Sequence, residues 1–595
     1  MNIMSGLVNN NTLWAELLVT ALETYGIKYA CLSPGSRNTP LILAFQKSKI
    51  IKSFVHVDER SSGFFALGLV YQTKSPVAIV TTSGSAVTEL YPAVVEAFYK
   101  HIPLLLLTAD RPQSLHNVGA NQTINQVNIF KNHVRGYYEA GMPKINKPSL
   151  FNFAKKISSA VADSISKKGP VQFNFPFAKP FEPSVGTDEA SESFVASMHK
   201  EFSKNTLHIY YKKKQNNDIQ YLVDLLQGSG KIMFIIGESK FKENIAFELL
   251  KLSKMLNAPI FADGFSNTRF LKAENNNIIT NHSSFLKSAK IREVIQPRLI
   301  IQFGDTPTST ALLEFFEESE ANKILVHKFG ETKDPSRTAG KVITGKTEWV
   351  CRVLNNALLV EPKEEQIDFL NSVIKINESA GMIKDVFLDS AAFPFEGNII
   401  RTILDQLPDE SNLMISNSLP ARDFDYFAEY KNKVKIFNNR GVSGIDGIIS
   451  TAAGIAAESD KPSFLIIGDL AFYHDISGLL ALKKYNVPLV IVLINNGGGG
   501  IFETLPIAKE EDIQFEEYFK TPIDLDFKSI VKGFGGNYKL VATDAAFSKE
   551  IKSAQKRKNF SVVEIIVDSK ESLNQREKFW NVLTAQIEAE YGNNN

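Results

Sequence analysis

Residues Pro462–Ile501 read PSFLIIGDLAFYHDISGLLALKKYNVPLVIVLINNGGGGI. The apolar run Ser463–Ile467 stops at Gly468-Asp469, and the run Pro488–Ile494 stops at Asn495-Asn496 and four glycines. Between them Leu479, Leu480 and Leu482 have helical spacing. Two short β-rich runs joined by a helix predict a strand–helix–strand unit with parallel strands. Parallel strands bring Asp469 and Asn496, 27 positions apart, to one edge of the sheet. That carboxyl edge is where α/β proteins bind ligands.

The chemistry expected there is one carboxylate, one carboxamide and glycines with unobstructed carbonyls. All are hard oxygen donors, and they are too few to enclose an ion by themselves. Mg²⁺ suits such a set, because it takes one or two protein ligands and completes its shell with phosphate oxygens and water. The stretch therefore reads as a cradle for the diphosphate of a cofactor, held through a metal. Taken singly, Asp469 is a buried strand end and the glycine run a turn. The pair, with strand, helix and strand between, favours the cradle.

A weak internal repeat extends this pattern to the start of the chain. Pro76–Val80 is an apolar run ending at Thr81-Thr82-Ser83-Gly84, and Pro103–Leu107 is another, ending at Thr108-Ala109-Asp110. The prolines that open these runs lie 27 positions apart, against 26 for Pro462 and Pro488. A middle region has its own α/β rhythm, with short apolar strands expected at Lys231–Ile236, Pro259–Ala262, Leu299–Phe303 and Lys323–Val326. Its Gly228–Lys231, GSGK, fails the phosphate-loop template and reads as a turn before a strand. The fold class is α/β: three doubly wound parallel-sheet domains, over residues 1–185, 193–360 and 361–595. The lysine run Tyr210–Asn217 reads as a solvated linker, the acidic turn Gly186–Glu192 as a boundary, EPKEEQID at 361–368 as an exposed connection, and the tail Gly592–Asn595 as frayed.

The chain's 595 residues are enough for three such domains. A composition of 44% hydrophobic and 22% charged residues is that of a soluble globular protein. A net charge of +1 supplies no field for nucleic acid or an anionic membrane, so neither is expected as a partner. Two distant cysteines, Cys31 and Cys351, make no disulfide framework or zinc spacing and fit a reducing, cytoplasmic setting. No signal peptide is read at the N-terminus, and apolar runs such as Ile102–Leu107 are too short to span a bilayer.

The Gly468-Asp469 and Asn495-Asn496 pair resembles the metal signature of thiamine-diphosphate-dependent enzymes. Three α/β blocks with that signature in the last are similar to the pyruvate-oxidase-like members of that group. The match to the group's glutamate is Glu59, in HVDERSSGFFALGL after an apolar strand, where Gly63, Ala66 and Gly68 allow a helix to pack closely. Further stretches narrow the likeness: SPGSRNTPL at Ser33–Leu41, TADRP at Thr108–Pro112, GANQTINQ at Gly119–Gln126, NSLPAR at Asn417–Arg422, NRGVSGIDG at Asn439–Gly447 and IFETLP at Ile501–Pro506. Together they resemble the 2-succinyl-5-enolpyruvyl-6-hydroxy-3-cyclohexene-1-carboxylate synthase family of menaquinone biosynthesis. These stretches also place Arg37, Arg111, Arg422 and Arg440 beside turn-forming residues. Singly each is a surface pair or loop anchor. Four around one expected crevice suggest a pocket for carboxylates, which a planar guanidinium grips through two oxygens at once.

The resemblance implies a transferase that decarboxylates 2-oxoglutarate and adds the resulting carbanion to isochorismate. It implies a pyrimidine-binding first domain, a central α/β domain, and a diphosphate- and metal-binding third domain. Glu59 would promote proton loss from thiamine diphosphate. Asp469, Asn496 and the Gly498 carbonyl would hold Mg²⁺ (or Mn²⁺). Ser418, Ile445, Leu470, Ile501, Phe502 and Leu505 would contact the cofactor. Ser36, Arg37, Arg111, Asn121, Gln122, Arg422 and Arg440 would meet substrate. A homo-oligomer, dimer or tetramer, is implied, because in the family the glutamate and the cradle of one site come from different chains. One stretch departs: Thr308–Ala311, TSTA, stands where the family carries a basic residue in the middle domain. Another carboligase or decarboxylase of the group, such as an acetolactate synthase, is the alternative. A dehydrogenase is disfavoured, since no G-x-G-x-x-G follows a strand with an acidic residue about 20 positions on.

Overall fold

A computed structural model describes the chain except residues 1–8, 184–189, 205, 208–217, 239–242, 275, 360, 362, 430–432 and 593–595. The lysine run Tyr210–Asn217, most of the turn Gly186–Glu192, position 362 of EPKEEQID and the last three residues of the tail lie outside the described residues.

The first sheet contains β1 (Tyr29–Leu32), β2 (Lys52–Val55), β3 (Val77–Thr81), β4 (Leu104–Asp110), β5 (Tyr137–Glu139) and β6 (Pro170–Pro176). The second contains β7 (Ile232–Ile236), β8 (Ile260–Ala262), β9 (Ile278–Ile279), β10 (Leu299–Phe303), β11 (Asn322–His327) and β12 (Ala339–Thr344). The third contains β13 (Asn412–Ile415), β14 (Lys435–Phe437), β15 (Ser463–Gly468), β16 (Val490–Asn495), β17 (Asn537–Leu540) and β18 (Ser561–Ile566). All pairings are parallel. The first sheet runs β2-β1-β3-β4-β6-β5 and the third β14-β13-β15-β16-β18-β17, the same order, so the internal repeat is a repeat of topology. The second runs β12-β11-β10-β7-β8-β9. The GSGK turn lies where it was expected, after the helix that ends at Gly228 and before β7.

The third sheet sits between the other two units. Side chains alternate across a strand. Phe464, Ile466, Val490, Val492 and Ile494 join a core with Met233, Phe261 and Ile300 of the second unit. Leu465, Ile467, Ile491 and Leu493 face the other way, into a core with Val77, Ile79 and Leu104 of the first. Strands buried on both faces read as continuous apolar runs, which is why β15 and β16 stand out in the sequence.

The first and third units meet through helices Glu59–Thr73 and Ile448–Ala457. At their contact a Cβ on Gly68 would clash with the carbonyl of Thr451, and one on Gly454 with that of Phe65. Gly63 instead faces helix Tyr91–Tyr99, where an added Cβ would stand 2.8 Å from Ala93. The expected close packing of Gly63 and Gly68 is thus found, against two different helices. Helix Glu192–Phe202 packs on helix Asn10–Thr24, and its Val195, Met198 and Phe202 join the first unit's outer core.

Candidate active site

The chain leaves β13 for β14 on one side and returns to β15 on the other. Such a reversal opens a crevice beyond the carboxyl ends of the two strands. Register pairs Gly468 of β15 with Ile494 of β16, so Asp469 and Asn496 leave the sheet side by side.

Asp469 begins a short helix, Asp469–His474, and is only 2% exposed. Its Oδ1 accepts a hydrogen bond from the Leu470 N–H at 2.8 Å and its Oδ2 one from the Gly498 N–H at 2.7 Å. Burial pushes its carboxyl up to about 6, against the pull of neighbouring backbone N–H groups. Gly497 and Gly498 adopt φ values of +73° and +129°, a backbone that favours glycine. The Gly499 N–H donates to the carbonyl of Lys520 at 2.6 Å, and that of Gly500 to the carbonyl of Gly498 at 3.0 Å. The Asn496 amide lies against Gly500, whose added Cβ would be 2.6 Å from it. A Cβ on Gly468 or Gly497 would have no neighbour within 4 Å, so both glycines flanking this edge border open space. Among the described residues no three His, Cys, Asp or Glu side chains gather to hold a metal. One carboxylate, one amide and one carbonyl beside open space fit a hard divalent cation that draws its other ligands from a diphosphate and water.

Across the crevice, Ser418 has φ +72° and precedes helix Leu419–Phe427. Its carbonyl accepts a hydrogen bond from Arg422 Nη1 at 3.0 Å. The side-chain amide of Asn417 donates to the carbonyls of Asn439 and Gly444, both at 2.7 Å, tying down the loop that carries Arg440 and Ile445. Ile445 is half-buried and packs on the core shared with the first unit. The Arg440 guanidinium stands 5.5 Å from the centre of the Phe265 ring. Burial, then the charge of Arg440, depress the Arg422 guanidinium. These two cations therefore sit close enough to repel, a setting that favours an anion.

The first sheet has a matching pair. After β1 a single turn, Ser36–Asn38, carries exposed Ser36 and half-buried Arg37. Arg37 Nη1 donates to the carbonyl of Phe177 at 2.7 Å, and its guanidinium lies 4.4 Å from the centre of the Phe181 ring. Arg111, which follows β4, donates from Nη1 to Ser83 Oγ. Gln122 Nε2 donates to the Ser83 carbonyl at 2.9 Å, and Asn121 beside it is exposed. Burial, then Arg111, depress the Arg37 guanidinium, while Asp110 offsets this. The four arginines thus form two pairs, one at the carboxyl edge of the first sheet and one at that of the third.

Glu59 is the first residue of its helix, half-buried, behind the capping Asp58, which accepts from the Ser61 N–H at 3.1 Å. Burial, reinforced by Asp58 and Glu89, raises its carboxyl above the ordinary range. Next to it, Arg60 Nη2 donates to the carbonyl of His474 at 2.9 Å, and Ser61 and Ser450 share a hydroxyl hydrogen bond of 2.8 Å. Ile501 and Phe502 lie in the half-buried turn Gly500–Thr504, and Leu505 is exposed just beyond it. Phe502 packs edge-on to Phe519 at 6.1 Å between ring centres.

Several side chains that anchor these elements carry no sequence signal. Arg576, on the C-terminal helix, forms a buried ion pair with Asp423 and another with Glu396 at 3.2 Å. It thereby anchors the helix that carries Arg422. Burial pushes the Asp423 carboxyl up to about 6, opposed by Arg576. The departing stretch Thr308–Ala311 caps helix Thr310–Glu318 through Ser309, and Thr308 Oγ1 donates to Asp263 at 3.3 Å. The nearby Arg269 is fully buried and bonds Asp425 at 3.1 Å.

Known proteins give two kinds of match. The profile described as "Thiamine pyrophosphate enzyme, N-terminal TPP binding domain" matches residues 14–129, and its C-terminal TPP binding domain counterpart matches residues 423–565. A Bacillus cytotoxicus protein named 2-succinyl-5-enolpyruvyl-6-hydroxy-3-cyclohexene-1-carboxylate synthase is 35% identical over 554 residues, covering 92% of each chain. A protein of the same name from Listeria welshimeri is 34% identical over 593 residues, 98% of this chain and 100% of its own. One from Bacillus velezensis is 34% identical over 550 residues, 91% of this chain and 92% of its own.

Proposed function

The chain belongs to the 2-succinyl-5-enolpyruvyl-6-hydroxy-3-cyclohexene-1-carboxylate synthase family, and from that premise we infer a thiamine-diphosphate-dependent transferase of menaquinone biosynthesis that joins 2-oxoglutarate to isochorismate with loss of carbon dioxide. Similarity to its relatives over almost the whole length carries the reading, and it favours this activity over that of an acetolactate synthase.

When bound, thiamine diphosphate supplies the electron sink on which the oxo acid is decarboxylated. The chain's own residues do the rest. Asp469, Asn496 and the Gly498 carbonyl would hold Mg²⁺ or Mn²⁺, which would supply the counter-charge for the cofactor's diphosphate. The Glu59 carboxyl, raised by burial, holds a proton at the pyrimidine nitrogen. Ile445, Ser418, Leu470, Ile501, Phe502 and Leu505 would wall the cofactor's site. 2-Oxoglutarate and isochorismate each carry two carboxylates. The pairs Arg37–Arg111 and Arg422–Arg440, with Ser36, Asn121 and Gln122, are the groups able to bind them. The three units then take the roles of pyrimidine-binding, central, and diphosphate- and metal-binding domains.

The working form is a homo-oligomer, at least a dimer, in which Glu59 serves a cradle on a second copy. Support comes from the surface beside Glu59, where Val57 is 79% exposed and Tyr473, next to the Arg60–His474 contact, is 52% exposed. No described helix is long and apolar enough to cross a membrane. Both cysteines are buried and free, as suits the cytoplasm. Carbon dioxide release from 2-oxoglutarate, measured with and without isochorismate, tests the activity. Product formed equally well from pyruvate would overturn it.

A further inference from the structure

The loop that carries Arg440 and Ile445 is held from the first unit as well as from its own. Glu96 lies in helix Tyr91–Tyr99, is 1% exposed, and reaches 345 positions along the chain. Its Oε1 accepts a hydrogen bond from the Gly441 N–H at 2.8 Å and its Oε2 one from the Val442 N–H at 2.9 Å. A carboxylate that takes two successive backbone N–H groups fixes the peptide planes between them, and here those planes directly follow Arg440. The fit is close: a Cβ on Gly441 would be 2.9 Å from Glu96 Oε2. Tyr71, also in the first unit, donates its hydroxyl to the carbonyl of Asn438 at 3.0 Å, at the start of the same loop. One turn after Glu96, Lys100 forms an ion pair with Glu238 of the middle unit, so the helix that carries Glu96 is itself anchored.

A buried carboxylate is costly unless paired, and two neutral backbone N–H groups could be satisfied by neutral partners. We propose that Glu96 is a positioning residue for the reaction: it holds the loop so that the Arg440 guanidinium meets a substrate carboxylate. This rests on the reading of Arg440 as a substrate ligand.

The test compares Glu96→Gln, Arg440→Ala and the double variant by steady-state kinetics with each substrate varied in turn, alongside amide hydrogen exchange at Gly441 and Val442. Glu96→Gln should raise KM about tenfold for the one substrate whose KM Arg440→Ala also raises, the size expected for losing charge-assisted hydrogen bonds. KM for the other substrate and thiamine diphosphate affinity should stay within about twofold. The two amides should exchange about tenfold faster. The double variant should be no worse than Arg440→Ala alone, because groups acting through one another are not additive. Multiplying effects, unchanged amide exchange, or a loss spread evenly over both substrates would overturn the proposal. If Arg440→Ala changes neither KM, the substrate reading fails and the proposal with it; if only Glu96→Gln is silent, the proposal alone fails. Should Glu96→Gln not fold, Gly441→Ala displaces the loop from an intact Glu96 and must raise the same KM.

Discussion

Asp469 Oδ2 and the backbone N–H of Gly498 are joined by a 2.7 Å hydrogen bond across 29 positions of chain. The fold therefore brings the carboxylate and the glycine run into direct contact, the two parts of the proposed metal and diphosphate site. Asp469→Ala removes the buried carboxylate that offsets the metal's charge. We expect it to lose magnesium-dependent thiamine diphosphate binding in calorimetry while its far-ultraviolet circular dichroism stays the same. Unchanged cofactor affinity would remove Asp469 from the metal site.

Glu59→Gln keeps the side chain's shape and hydrogen-bonding reach but has no carboxyl proton to exchange with the pyrimidine nitrogen. Groups in this role contribute roughly 10²–10⁴ in rate, and a loss in that range is expected in hydrogen–deuterium exchange at the thiazolium carbon of the bound cofactor. Mixing this variant with Asp469→Ala should recover part of the activity, since one site of a mixed symmetric dimer is then intact. Absence of recovery after verified subunit exchange would mean that each site is built within one chain.

The arginine pairs predict specificity. Pyruvate lacks the distal carboxylate of 2-oxoglutarate and should be the poorer substrate. Removing one partner of a desolvated charge pair costs about 2–5 kcal/mol, or roughly tens- to thousands-fold in kcat/KM. Arg37→Ala and Arg111→Ala should raise KM for one substrate, and Arg422→Ala and Arg440→Ala for a substrate carboxylate at the other edge, with cofactor affinity preserved. Varying one substrate at a time assigns each pair. Four variants with no substrate-specific defect would favour an acetolactate-type reaction.

Asp475 predicts how stability depends on pH. It is fully buried, accepts hydrogen bonds from the Ser450 N–H at 2.6 Å and the Ser450 hydroxyl at 3.0 Å, and burial pushes its carboxyl up to about 7. The folded state thus holds this proton more tightly than the unfolded chain, whose carboxyl has the ordinary value of 3.8. Its contribution to stability is largest below about pH 4, falls as pH rises to about 7, and is constant above. Asp475→Asn cannot ionise, so the melting temperature of the parent should fall relative to the variant across that window. Parallel curves would show that Asp475 stays ionised in the fold.

By itself the sequence determined the fold class, the central apolar strands of each unit and the sheet edge at which Asp469 and Asn496 lie. β15 and β16 are unbroken apolar runs that end in Gly-Asp and Asn-Asn-Gly, and the 26-residue spacing of their prolines leaves room for the connecting helix. Such features are local, because periodicity and turn chemistry act within a few residues. β9, with two residues, and the half-polar edge strand β12, AGKVIT, are too short or too mixed to signal themselves. The tertiary structure alone decided which faces meet. Both faces of the third sheet are apolar, and nothing in β15 tells the face toward the second unit from the face toward the first. Nor does any local pattern join Glu96 to Gly441, Arg576 to Asp423, or the arginines into pairs. Those contacts arise from packing between elements more than a hundred positions apart, or from strand order in a sheet. Their energy depends on burial, which only the folded chain confers.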